Sequence, residues 1–211
     1  MRKISLLLLT CIAVMVFISC GKEGSIDTSN GGGGGGGGTG QEVGTWKFLS
    51  MHANTHVTVE LTDGSDNVKT ISISEYTSAN NAGTVKFDGT KGVSTGIAYS
   101  VDMPVKGYIY ENGSLVDSLE QTISLTLPPS TSTANYTKVG TDSLYFPAGG
   151  FFSLESGGGS AQTDAAGYKL RFEGDKMYMT TSLNKTETET DQGITQKTTQ
   201  KATVEVTLQK Q

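Results

Sequence analysis

His52 and His56 are the only imidazoles in the 211-residue chain, and they sit four residues apart. That spacing would align them on a helix, but they fall at the joint between two runs that read as strands. A zinc site needs further ligands, and the surrounding sequence does not offer them. Solvent-exposed loop histidines are therefore expected. Serine, histidine and acid are all present, yet no Gly-x-Ser-x-Gly elbow follows a strand. Asp63-Gly64-Ser65-Asp66-Asn67 has the opening of a calcium loop without the later bidentate glutamate, so it reads as a hairpin turn. Eight consecutive glycines occupy positions 31–38. No Gly-Lys-Ser/Thr and no helix follow them, which excludes a phosphate-binding loop. The expectation is a non-enzymatic chain with no catalytic residue, no metal site and no cofactor.

The residue with a definite chemical role is Cys20. Arg2 and Lys3 precede a fifteen-residue apolar run at 4–18, and the first nineteen residues hold no acid. That is the layout of a secretory signal. A spanning helix needs about 20 apolar residues, so an uncleaved anchor fits less well. Phe17-Ile18-Ser19-Cys20-Gly21 resembles the bacterial lipobox, in which small residues precede a cysteine that is acylated before cleavage. Phe17 stands where leucine is usual, as in the relaxed lipoboxes of Bacteroidetes-type lipoproteins. The implied product starts at a lipidated Cys20, and each buried acyl CH₂ adds about 0.8 kcal/mol of anchoring. Cys11 leaves with the signal, so the mature chain has one cysteine and no internal disulfide.

Residues 21–43 are mostly Gly, Ser, Thr, Asn and acid. Nothing there offsets the backbone entropy of glycine by burial, so the stretch reads as a leash spanning about 25 Å. Residues 44–211 then form one domain of comfortable size. Loss of Arg2 and Lys3 takes the formal charge from −5 to −7. A mildly acidic surface without a basic patch argues against nucleic acid and against electrostatic adhesion to anionic lipid. The membrane contact must then come from the lipid on Cys20.

The domain alternates with period two, which places one set of side chains in a core and the other in water. Val57, Val59 and Leu61 form one such set. Val93, Thr95, Ile97, Tyr99, Val101 and Met103 form another, and Val85 with Phe87 and Ile123 with Leu125 and Leu127 are shorter ones. Asp63-Gly64, Asp88-Gly89, Asn112-Gly113 and Gly174-Asp175 punctuate the runs as hairpin turns. The fold class expected is an all-β antiparallel meander closing into a barrel of about eight strands, with a β-sandwich as the alternative. A two-residue turn at Gln192-Gly193 pairs Met177 with Leu208, Met179 with Val206 and Thr181 with Val204. A one-residue slip would put these apolar sets on opposite faces. Residues 184–201 are nearly all polar, so the tip of that hairpin is expected to stand clear of the core as a solvated ribbon.

Gly44-Thr45-Trp46-Lys47 resembles the lipocalin signature at the start of a first strand. In that family the tryptophan closes one end of an eight-stranded barrel beneath a basic residue from a late strand. The resemblance implies that role for Arg171 over Trp46, with a solvated Arg171 as the alternative. Gly83-Thr84-Val85-Lys86-Phe87-Asp88-Gly89 and the hairpin from Tyr168 to Met179 are similar to segments of lipocalin-like lipoproteins of Bacteroidetes. Residues 127–166 match nothing recognisable, and Phe146, Phe151, Phe152 and Leu154 are lid or core candidates there. The function implied is a non-catalytic lipoprotein of the cell envelope, at the outer membrane or cell surface. Its barrel would take a small apolar or amphipathic ligand against Phe48, Ile97, Tyr99, Val101, Met103, Phe172, Met177 and Met179. The alternative is a filled barrel acting as an interaction module toward protein or glycan. An apolar cavity of about 300 Å³ would favour the first; a packed interior with its apolar patch outside would favour the second.

Overall fold

A computed structural model describes residues 40–147 and 165–211. Cys20, most of the leash, and Phe151, Phe152 and Leu154 lie outside the described residues. Among the described residues ten antiparallel strands form one sheet and there is no helix: β1 (Gly44–Asp63), β2 (Asp66–Thr77), β3 (Ala79–Phe87), β4 (Lys91–Glu111), β5 (Ser114–Asn135), β6 (Thr137–Val139), β7 (Ser143–Phe146), β8 (Ala166–Glu173), β9 (Lys176–Asp191) and β10 (Ile194–Lys210). The all-β antiparallel meander expected from the alternation is what forms.

Ten strands reduce to eight paths. β2 and β3 both pair with β1 and with β4, and only Ser78 separates them. β5 and β6 are likewise separated only by Tyr136. Pairing then runs β4 to β5, through β6 to β7, β8, β9 and β10, and returns from β10 to β1. The sheet is thus a ring, drawn together at the β5–β7 seam by the three residues of β6.

Turn chemistry sets the registers. Asn112 and Gln192, with φ of 47° and 49°, precede Gly113 and Gly193 at 83° and 85°. Two successive positive-φ residues define the type I′ turn, whose twist matches that of the strands it joins. The β9–β10 register accordingly pairs Met177 with Leu208, Met179 with Val206 and Thr181 with Val204, as the apolar faces require. At the β3–β4 corner the Asp88 carboxylate accepts hydrogen bonds from the Thr90 and Lys91 amides at 2.9 and 2.7 Å. Those bonds hold its pKa below the usual carboxylate value.

One expectation is corrected. Val93 and Thr95 do not share a face with Ile97, because the register slips between Ser94 and Ile97. Gly92 and Ser94 are buried instead, while Thr95 is exposed. Gly96 takes φ 62° in this bulge, and a Cβ on Gly83 opposite would come within 2.6 Å of the Gly96 backbone. One extra residue inverts the pleat, which no alternation count can foresee. The polar tip of the β9–β10 hairpin stands clear of the core and solvated, as expected, but it does not stand alone. β10 stays paired with β1 as far as Asp63 opposite Ile194, and β1, β2, β4 and β5 continue alongside. The tip is one side of a six-stranded extension rising beyond the core.

Candidate functional site

The interior of the ring is filled. Phe48, Phe87, Phe146, Leu144, Met177, Val206 and Leu208 are each no more than 1% exposed. Ring contacts run from Phe87 to Tyr136 (5.6 Å), on to Phe146 (5.7 Å) and to Tyr168 (5.4 Å). Such tilted and edge-on pairs contribute beyond their buried area. Burial pushes the Tyr136 and Tyr168 phenols up to about 12, and raises those of Tyr99 and Tyr76 as well. Of the lining residues expected from sequence, Phe48, Ile97, Tyr99, Val101, Met177 and Met179 belong to this core, and Phe172 packs against it half-buried. Met103 does not. It lies one pleat beyond Val101, opposite Ile123 and outside the cluster, because β4 has already entered the extension.

Trp46 closes the core end at 2% exposure, beside Phe172 at 6.1 Å. Its indole N–H donates to the Glu42 carbonyl at 2.7 Å. The cation over its ring is Lys210, with Nζ 4.9 Å from the centroid, and not Arg171. Arg171 faces outward, stacked 3.8 Å from the Tyr178 centroid and paired with Glu173 and Glu205. Register explains the swap: Trp46 lies opposite Lys210 in the β1–β10 ladder, whereas Arg171 alternates with the core residues Leu170 and Phe172. Gly44, at φ 131°, lets Lys210 pack where a Cβ would lie 3.2 Å from its Cε.

Glu42, Lys210 and Lys138 carried no signal in the sequence. Lys210 Nζ donates to the Val43 carbonyl at 3.0 Å. The Glu42 carboxylate, 2% exposed, pairs with Lys138 of β6 at 2.8 Å. The chain preceding β1 is thereby tied to the closed end of the ring and to its seam.

The extension has a different chemistry. His52 and His56 belong to β1 itself and not to a loop, on its exposed outer face, where His52 meets Glu75 at 3.4 Å. Among the described residues no group of three His, Cys, Asp or Glu could hold a metal ion. A polar slot of about 150 Å³ runs over β1 and β10 between His56, Glu60, Lys197 and Lys201. A second depression of about 310 Å³ lies on the outer face of β2 and β4, lined by Asn67, Lys69, Ile71, Tyr110 and Gly113. Ile73 and Leu115, 38% and 55% exposed, share this outer face, Ile73 as the next same-face residue after Ile71 and Leu115 opposite Tyr110. Ladder pairing places Ile71 opposite Tyr108, Lys69 opposite Tyr110 and Tyr110 opposite Leu115 on that one face.

No family model matches the chain, and no curated protein matches it. Among solved structures, the attachment invasion locus protein Ail of Yersinia pestis aligns over 78% of this chain and 99% of its own, at 7% identity and a TM-score of 0.17.

Proposed function

We propose that this chain is a non-catalytic, lipocalin-like lipoprotein, anchored in the outer membrane through Cys20, that presents an interaction surface away from the lipid. The observation that carries this reading is the contrast between a filled ring and an outer apolar-aromatic patch at the far end of the strands. The filling favours an interaction module over a carrier of a small apolar ligand. Direction is supported by the chain path: the leash joins the closed end, and β1, of 20 residues, runs on for about 65 Å to the opposite tip. A partner then meets the extension first.

Two measurements test this. Metabolic labelling with palmitate should mark the wild-type protein and not Cys20→Ala, which should be released from the membrane. A Cys20→Ala protein that stays membrane-bound and is processed normally overturns the anchor. Titration of the purified protein with palmitate should leave Trp46 fluorescence unchanged. Stoichiometric binding there overturns the filled ring.

A further inference from the structure

Resting on that reading, we propose that the depression on the outer face of β2 and β4 binds a neutral oligosaccharide, with Tyr110 and Tyr108 as stacking platforms. Tyr110 lines the depression, Tyr108 is the next residue on the same face of β4, about 7 Å back along the backbone, and the lining residue Ile71 lies directly opposite Tyr108 in the ladder. Such a floor offers apolar, electron-rich surface to the C–H faces of sugar rings. Neither tyrosine hydroxyl has a hydrogen-bond partner among the described residues, so both remain available to ligand hydroxyls. Asn67 and Lys69 stand at the rim as further polar groups.

Charge selects the ligand class. Lys69 is paired with Glu60 at 3.6 Å, and Lys106 with Glu120 at 3.5 Å. Glu60 also meets Lys197 of the neighbouring β10 at 3.9 Å, so each cation beside the patch already has an acidic partner, which favours an uncharged ligand over an anionic one. A volume of about 310 Å³ is at the lower end for small-ligand sites. The hairpin tips that frame it are fixed to one another, since the Asn67 amide donates to Asn112 Oδ1 at 2.9 Å and the Asn112 amide to the Asn67 carbonyl at 2.8 Å. A site held this way is formed before the ligand arrives, and that lowers the ordering cost of binding.

The experiment is calorimetric titration of the full mature chain in detergent with cellohexaose, maltohexaose, mannohexaose and xylohexaose, followed by saturation-transfer NMR. At least one should bind. Tyr110→Ala should weaken it about tenfold, while Tyr110→Phe, which keeps the ring, should stay within about threefold. Ile71→Lys, which fills the floor with a charged chain, should abolish binding, and Thr199→Ala in the other slot should not change it. Absence of binding by all four sugars at about 10 mM overturns the site. So does binding that Tyr110→Ala and Ile71→Lys leave intact, or a change of oligomeric state in Tyr110→Ala, which would make the patch a contact between copies. Each of these results leaves the filled ring standing, because stoichiometric palmitate binding is what defeats that reading.

Discussion

The same three strands build both ends of this molecule with opposite chemistry. At the closed end Phe48, Leu208 and Met177 stand side by side across β1, β10 and β9, each fully buried. Farther along, the equivalent inward row is Val59, Thr198 and Glu187. Backbone pairing is continuous between them, so hydrogen bonding alone does not distinguish core from extension. What changes is the side-chain volume facing inward, and with it the apolar area removed from water. The closed end supplies stability, and the far end supplies surface.

The sharpest way to break the comparison is to make matched truncations. Phe48→Ala should cost about 3–5 kcal/mol in chemical denaturation, whereas Leu61→Ala in the extension should cost less than about 1 kcal/mol. Equal losses would mean that the extension carries a core of its own. Next is the latch at the seam. Lys138→Met leaves the buried Glu42 carboxylate uncompensated and should cost about 2–3 kcal/mol, below the full range for buried pairs because Lys138 keeps some contact with water. Glu42→Gln should cost less, since the lysine it frees is already partly solvated.

Alkaline titration probes the closed end. Phenols held to about 12 in the ring keep their protons while the unfolded chain loses them near the ordinary value of 10. The folded state then binds more protons, so stability should fall as pH rises from about 10 to 12. Tyr168→Phe should flatten that decline, as read by denaturation midpoints across the range. The smallest effect is expected at the tip of the β9–β10 hairpin. Gln192 occupies a left-handed position that asparagine tolerates better, so Gln192→Asn should raise stability by about 0.5 kcal/mol in thermal melts.

Much of the ring was legible because its information is local. Type I′ turn residues and a period of two suffice to set the β9–β10 register and to identify Met177 and Met179 as inward, while Trp46 and Phe48 were reached through the lipocalin-like opening of the first strand. Several features were not. The Gly83–Gly96 close approach depends on two strands meeting. Met103 has the same residue type and phase as its buried neighbours, but the strand leaves the core beneath it. Arg171 matched the expected cation by type, while Lys210 held the position by pairing.

By itself the sequence determined the strand class, the β9–β10 register, most of the apolar inner set and the expectation of lipid on Cys20. These follow from residue chemistry and short-range spacing. Only the tertiary structure decided which cation covers Trp46, that the ring is filled, that Glu42 latches the seam, and that Tyr108, Tyr110, Ile71 and Leu115 share an outer face. Each of those depends on which strands become neighbours, a long-range outcome of packing that no local pattern encodes.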